Sequence, residues 1–195
     1  MTDILPLRDF IAIATHCIER HGDDEAAILA ELAPALRNLV RQDHWLPEAF
    51  AQPDPAFYRQ YLLYGDPLDR LSVVSFVWGP SQITPVHDHR VWGLVGVLRG
   101  AEIGTVYQRH PDGTLTRGAT SRLEAGGVVA VSPKLGDIHT IANAYNDRPS
   151  ISIHVYGGNI GRIRRTSFNP DTGATQEFVS GYSNAQTPNL WAETT

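Results

Sequence analysis

The amino-acid sequence predicts a mainly β protein, a closed or double-sheet antiparallel barrel with a helical cap at its N-terminal end. Three observations carry this reading. From Leu71 onward, about eight short β-rich runs follow one another at period two within roughly 100 residues. Turn signals separate them, notably Pro111-Asp112-Gly113 and Ala125-Gly126-Gly127. Helical periodicity, by contrast, is confined to the stretch from Leu7 to about Arg41.

In that first stretch, apolar residues recur at helical spacing as Phe10, Ile11, Ile13, Ala14 and Ile18, then as Ile28, Leu29, Leu32, Leu36 and Leu39. Two amphipathic helices are expected, broken at Gly22-Asp23-Asp24, where Gly closes the first and Asp caps the second. Residues 43–69, rich in Pro and Tyr, read as an ordered connector with a short helical piece around Phe57 to Tyr64. The predicted strands are Ser72 to Trp78, Trp92 to Leu98, Glu102 to Gln108, Thr114 to Leu123, Val128 to Val131, His139 to Ala144, Ile151 to Tyr156 and Ile163 to Phe168. With no internal repeat or low-complexity linker, the 195 residues read as a single domain. Residues 1–70 would form the cap and connector, 71–170 the barrel core, and 171–195 a C-terminal extension.

Composition narrows the function classes. Hydrophobic residues make up 42% and charged residues 19%, with 17 Gly and 13 Pro, which fits a folded chain with many tight turns. A formal net charge of -5 gives no electrostatic reason to expect nucleic acid or an anionic membrane as a partner. The sole cysteine, Cys17, forbids an intrachain disulfide and reads as a small buried helix residue. The opening Met1-Thr2-Asp3 carries an acid where a signal peptide needs a basic region, and no run approaches the roughly 18 apolar residues of a membrane helix. A cytoplasmic location is therefore the expectation, and the oligomeric state stays open.

The strongest local chemical signal is His87-Asp88-His89. Residues two apart in a strand share a face, so His87 and His89 can aim at one ion while Asp88 points away. Such a pair alone is weak evidence and is better explained by two exposed or core histidines. Landmarks further along the chain shift that balance: Gly93 and Gly100, then Gly127, Pro133, Gly136, His139 and Asn143 in order. This arrangement resembles the two cupin motifs, with His87, His89 and His139 at ligand positions and with the glutamate of the first motif missing. Three neutral imidazoles would leave a divalent cation its full charge and open positions on one face, a site suited to anions such as a thiolate. Zinc would fit such ligands as well as iron, because imidazole discriminates weakly among first-row metals.

A second constellation is Ser152-Ile153-His154-Val155-Tyr156, which places Ser152, His154 and Tyr156 on one strand face. Any half-buried strand alternates in this way, but a metal triad in the same small barrel gives the polar face a use. Together with Pro85-Val86-His87-Asp88-His89, Trp92-Gly93-Leu94, Leu98-Arg99-Gly100, Gly136-Asp137-Ile138-His139 and the following Gly157-Gly158, it resembles the cysteine dioxygenase type I family of cupin thiol dioxygenases, in particular its bacterial 3-mercaptopropionate dioxygenase branch. The resemblance runs from about Phe57 to Phe168. It implies a cupin double-stranded β-helix, Fe(2+) held by His87, His89 and His139, a catalytic Ser152-His154-Tyr156 relay, and oxidation of a small thiol-carboxylate by O2 to its sulfinic acid.

Departures from the family pattern bear on the substrate. The position matching the cysteine that crosslinks to the active-site tyrosine in mammalian cysteine dioxygenases is Gly93, so Tyr156 has no such partner. The arginine that holds the carboxylate in cysteine dioxygenases, in a Tyr-x-Arg segment, is matched by Gln60 in Tyr58-Arg59-Gln60. An amide is no substitute for a charged, bidentate guanidinium. In the 3-mercaptopropionate branch the resemblance implies an arginine beyond the tyrosine at the carboxylate, a place that Arg165 fits, with Arg162 and Arg164 as nearby competitors. Tyr156 and Gln60 are the other expected substrate-binding residues, and an apolar wall including Trp92 and Leu94 is expected to keep water out. 3-Mercaptopropionate is the expected substrate; cysteine, cysteamine and mercaptosuccinate are alternatives. Outside this class stand a metal-dependent cupin isomerase or lyase and a non-catalytic cupin binding module.

Overall fold

The computed structural model describes residues 3–192; Met1 and Thr2, on which the reading of the N-terminus partly rests, and the last three residues of the 171–195 extension lie outside that range. The two expected helices are α1, Leu5–His21, and α2, Glu25–Val40. Gly22 ends α1 at a positive φ of 54°, and the Asp24 carboxylate accepts a hydrogen bond from the Ala27 N–H at 3.1 Å. Each helix buries one stripe, including Leu7, Phe10 and Ala14 from α1 and Ile28, Leu32 and Leu36 from α2. A fully buried leucine stabilises by roughly 1.5–3 kcal/mol, so these stripes are what hold the cap in place. Cys17 is buried between the helices, its Sγ 3.9 Å from the Ile28 carbonyl oxygen.

Eleven strands follow among the described residues: β1 Arg59–Gly65, β2 Ser72–Trp78, β3 Val86–His87, β4 Gly93–Arg99, β5 Ala101–Arg109, β6 Leu115–Glu124, β7 Val128–Val131, β8 His139–Asn143, β9 Ser150–Tyr156, β10 Arg165–Phe168 and β11 Thr175–Phe178. They form two antiparallel sheets, one in the order β1-β2-β9-β4-β7 and the other in the order β11-β10-β3-β8-β5-β6. The chain passes back and forth between them from β2 to β10, which is the winding of the cupin double-stranded β-helix. The five-stranded sheet is covered on its outer face by the cap: Val73, Val77, Leu94, Ile151, Ile153 and Val155 share one apolar cluster with the helices. Its inner face closes over a second, smaller cluster containing Val74, Phe76, Trp78 and Tyr156. Strands β2 and β9 are consequently buried at every position.

All eight strands expected from the sequence are present, and three more join them. The helical piece expected around Phe57 to Tyr64 is instead the edge strand β1, paired with β2 in the register Gln60↔Phe76 and Leu62↔Val74. Its alternation explains the change. Leu63 and Tyr61 pack against the cap cluster while Tyr58 and Leu62 pack on the inner one, so the segment is apolar on both sides and gains more by sheet pairing than by coiling. The two-residue β3 is too short for any periodicity to show. Strand β11, in the C-terminal extension, joins the second sheet beside β10. No helix among the described residues is long and apolar enough to cross a membrane.

Candidate metal centre and its cavity

The barrel interior opens into a cavity of about 220 Å³. That is below the roughly 300–1,000 Å³ of a drug-sized site, which restricts any ligand to a few heavy atoms. The histidines at its base are positioned by two neighbouring strands. His87 on β3 lies in register with His139 on β8, and His89 follows two residues later, just beyond the end of β3. The three ring centroids stand 4.8 to 5.0 Å apart, each pair steeply inclined. Ligand nitrogens from the three rings all lie within 4.8 Å of one another, and no carboxylate belongs to that group among the described residues.

The partners of the rings fix their tautomers. The Nδ1 of His87 stands 3.0 Å from the Pro85 carbonyl oxygen and that of His89 stands 2.7 Å from Asp137 Oδ1. Both partners only accept hydrogen bonds, so each Nδ1 carries the proton and each Nε2 offers its lone pair inward. Burial, joined for His87 by the neighbouring His89, holds the conjugate acids of both rings down to a pKa of about 3, and burial depresses that of His139 as well. Three neutral, converging imidazoles are the state a divalent transition metal requires. The donor set therefore fits such an ion. Asp137 is a site residue that the sequence motifs do not single out. Besides orienting His89, its Oδ2 accepts from the backbone N–H groups of His89 and Arg90 at 2.8 and 3.0 Å. Its signal lies in Gly136-Asp137-Ile138-His139, where an acid two residues before a ligand can brace another one. Asp88, as expected, points away and accepts from the Thr166 N–H at 2.7 Å.

Ser152, His154 and Tyr156 all face the interior from β9 and form a continuous chain: Ser152 Oγ to His154 Nε2 at 2.8 Å, and His154 Nδ1 to Tyr156 Oη at 2.8 Å. The tyrosine ring stacks on His89 at 5.4 Å between centroids, which sets the end of the chain beside the histidine triad. Burial raises the phenol's pKa well above its ordinary value, with Arg165 pulling the other way, so Tyr156 stays a neutral hydroxyl at physiological pH. Gly93 lies opposite Tyr156 in the β4–β9 register. A Cβ placed there would stand 2.8 Å from Tyr156 Cδ1, so the tyrosine ring occupies the room that a side chain at position 93 would need.

Of the three arginines near β10, Arg162 and Arg164 are exposed, and Arg164 pairs with Glu177. Arg165 is only 3% exposed and lines the cavity, its Nη2 donating to Ser180 Oγ at 2.7 Å and its Nε left without a partner. It is the one charged side chain among the residues lining the cavity. Gln60 also reaches the cavity, and its Oε1 is likewise buried and unpartnered. Two orphaned polar atoms cost roughly 1–3 kcal/mol each, a cost that a bound polar ligand would offset. The wall is made by Tyr58, Phe76, Trp78, Ile141 and Phe178. Trp92 and Leu94, expected there, belong to the opposite side. Leu94 pairs with Val155 and shares its outward orientation, and both Trp92 and Leu94 pack in the cap cluster. The C-terminal extension supplies Gln176, Phe178 and Ser180, whose role no local sequence pattern announces.

A second group with ligand-like spacing, Cys17, His21 and Glu31, sits in the cap. Its acid is already engaged by Arg20 and His21, so it reads as an ion-pair knot between α1 and α2.

No protein-family model matches the chain. Solved structures similar to it include an uncharacterized conserved protein with a double-stranded β-helix domain from Klebsiella pneumoniae, with 21% identity over 58% of this chain and 89% of that one and a TM-score of 0.43. A cupin superfamily protein from Desulfitobacterium hafniense shows 14% identity over 60% of this chain and 94% of that one, with a TM-score of 0.45. An oxalate oxidase in complex with the substrate analogue glycolate shows 17% identity over 55% of each chain, with a TM-score of 0.44.

Proposed function

We propose that the protein is an iron(II)-dependent thiol dioxygenase that converts a small thiol-carboxylate, 3-mercaptopropionate in the first instance, to its sulfinic acid. The observation that carries this reading is a buried three-histidine site without a carboxylate ligand, sharing one small cavity with an unpaired guanidinium and a Ser-His-Tyr hydrogen-bond chain.

Charge balance favours a substrate with two negative groups. The triad contributes no charge, so a divalent ion and Arg165 together present three positive charges in a space without any acid among its lining residues. A thiolate at one end and a carboxylate at the other answer both. When bound, iron(II) supplies Lewis acidity that favours the thiolate and the redox capacity to bring dioxygen to the sulfur. The reaction balances as one thiol plus one dioxygen giving one sulfinic acid, both oxygen atoms ending on sulfur. Arg165 holds the carboxylate through its free Nε, a charge-assisted contact in a buried setting. Ser180 and the Phe178 ring, 4.7 Å from the guanidinium carbon, keep that side chain in place. Tyr156 offers a neutral hydroxyl between the carboxylate end and the triad, and the aromatic wall excludes water.

Cysteine has its own supporting observation, the unpartnered Gln60 Oε1, an acceptor that an ammonium group would satisfy. The same amide turned over would instead donate to a carboxylate. Oxygen uptake and sulfinate formation by the iron-loaded protein with each thiol decide between them. 3-Mercaptopropionate is expected to give the highest kcat/KM; a many-fold preference for cysteine would move the protein to the cysteine branch. Turnover of a sugar or keto acid under strict anaerobiosis would replace oxygenation altogether.

A further inference from the structure

We infer that Glu102 is the far terminus of the Ser152–His154–Tyr156 chain, and that its protonation state sets whether Tyr156 donates a hydrogen bond into the cavity or only accepts one. The switch itself depends on the hydrogen-bond chain alone; its use in thiol oxidation rests on the function proposed above.

Glu102 is a carboxyl group in the barrel interior, 2% exposed, with Oε1 buried and unpartnered. Strand register fixes its direction. Glu102 pairs with Asn143 as Val106 pairs with His139, so Glu102 stands on the same inward face as the metal-site histidine, four residues further along each strand. Ser152 and Trp78 are the polar groups beside it, and the link from Ser152 to the carboxyl is the one the inference adds; burial raises its pKa to about 7. Trp78 Nε1 also donates to Ser152 Oγ at 3.2 Å. No charged group offsets that burial. From β6 the inward partner is Leu123, while Arg122 and Glu124, on the outer face, pair with each other. From β8 the inward positions are Asn143, Ile141 and His139; from β2 they include Phe76 and Trp78; from β4, Val95 and Val97; from β9, Ser152, His154 and Tyr156. The titratable groups on those positions are thus His139, His154 and Tyr156, with His87, His89, Tyr58 and Arg165 beyond them around the cavity.

The hydroxyl of Ser152 has one donor and two acceptor sites, and the indole of Trp78 takes one acceptor site throughout. With Glu102 ionised, Ser152 donates to the carboxylate, His154 donates from Nε2 to Ser152, and Tyr156 donates to Nδ1. The phenol then shows only lone pairs to the cavity. With Glu102 protonated, every link reverses: the carboxyl donates to Ser152, Ser152 to Nε2, Nδ1–H to the phenol oxygen, and the phenol proton points into the cavity. Passage between the two states moves one proton across each link. A proton arriving at Tyr156 Oη appears on Glu102, and neither the histidine nor the tyrosine is left ionised. Glu102 touches no substrate, so it acts as a positioning residue through Tyr156.

The test compares wild type, Glu102→Gln and Ser152→Ala, all iron-loaded. The amide introduced by Glu102→Gln donates as the protonated carboxyl does, without titrating, and so fixes the chain in its outward orientation. Infrared difference spectra between about pH 5.5 and 8.5 should show a protonated carboxyl band titrating in wild type and Ser152→Ala and absent from Glu102→Gln. The tyrosine C–O mode should follow that titration in wild type only. With 3-mercaptopropionate, wild-type kcat should fall about tenfold over the same range while Glu102→Gln changes less than about twofold and KM holds. A carboxyl band that never titrates, or a tyrosine mode that follows pH equally in Ser152→Ala, overturns the inference. Infrared behaviour as expected without thiol oxygenation at any pH leaves the switch standing and removes the proposed substrate reaction.

Discussion

Replacing Glu102 by Gln should make the protein's stability less sensitive to alkali, by an amount set by the burial of one carboxyl group. An acid whose pKa rises from 4.5 to about 7 on folding binds its proton more tightly in the native state. Below about pH 4.5 folded and unfolded chains both hold the proton, and the group makes no pH-dependent contribution. Between 4.5 and 7 the unfolded chain has lost it and the folded chain keeps it, so stability falls as pH rises; above 7 the loss is complete. At 1.36 kcal/mol for each pH unit, the range from 4.5 to about 7 comes to about 3 kcal/mol. The raw profile would hide this, because the buried His87, His89, His139 and His154 have lowered pKa values and act in the opposite direction. They lose stability as pH falls below their ordinary value near 6.5. The difference between variant and wild type cancels them. Urea denaturation at a series of pH values, in one metal state throughout, should show Glu102→Gln gaining about 3 kcal/mol on wild type between about pH 4.5 and 8. A difference constant to within about 1 kcal/mol over that range would show that Glu102 is ionised in the folded protein, and the reasoning from its burial would fail.

The other side chains yield simpler expectations. Asp137→Asn leaves the triad itself but weakens the brace on His89, and iron affinity measured by competition with a chelator should drop about 10- to 100-fold. Tyr156→Phe should bind iron normally and lower kcat about a hundredfold, because only the hydroxyl at the end of the chain is removed. Arg165→Lys should raise KM for 3-mercaptopropionate at least about tenfold while leaving iron content unchanged, since an ammonium group cannot reproduce the planar fork.

Much of this architecture is legible because it is written in short periods. The stripes of α1 and α2, the break at Gly22-Asp23-Asp24 and the inward face of β9 are each fixed by alternation within a few residues, and the structure follows them. The histidines are legible for a related reason: His87 and His89 stand two residues apart, a spacing that lets both reach one ion even though β3 ends at His87, and glycine and proline landmarks place His139. What escapes the sequence depends on partners distant along the chain. Strand β1 forms because β2 offers it an edge, and the alternation within residues 57–64 becomes a strand signal only once that edge and the two clusters it faces are known. Trp92 and Leu94 are expected in the apolar wall of the cavity. In a strand, however, adjacent side chains take opposite faces, and register with β9 settles which face is which. Ser180 and Glu102 carry no motif, and Asp137 stands inside one without its role being marked. Their roles come from buried polar atoms that find, or lack, a partner across the barrel.

Gly93 joins those two kinds of information, and it allows the placement of Tyr156 to be tested without touching the tyrosine. The tyrosine ring is 1% exposed, stacked on His89 on one side and hydrogen-bonded to His154 at its hydroxyl. A methyl group at position 93 would stand 2.8 and 2.9 Å from two ring carbons and 3.1 Å from Val131 Cγ2. Contacts that short require movement. The ring has less freedom to move than Val131, because displacing it strains either the stack or the hydrogen bond. Gly93→Ala should therefore cost about 1–3 kcal/mol in stability, the usual range for overpacking a filled interior. It should also lower kcat at least about tenfold through loss of alignment, with iron content and KM preserved, because neither the triad nor Arg165 is carried by β4. Wild-type kcat together with wild-type stability in Gly93→Ala would mean that Tyr156 does not sit against β4 in solution, and the geometric basis of the relay would go with it.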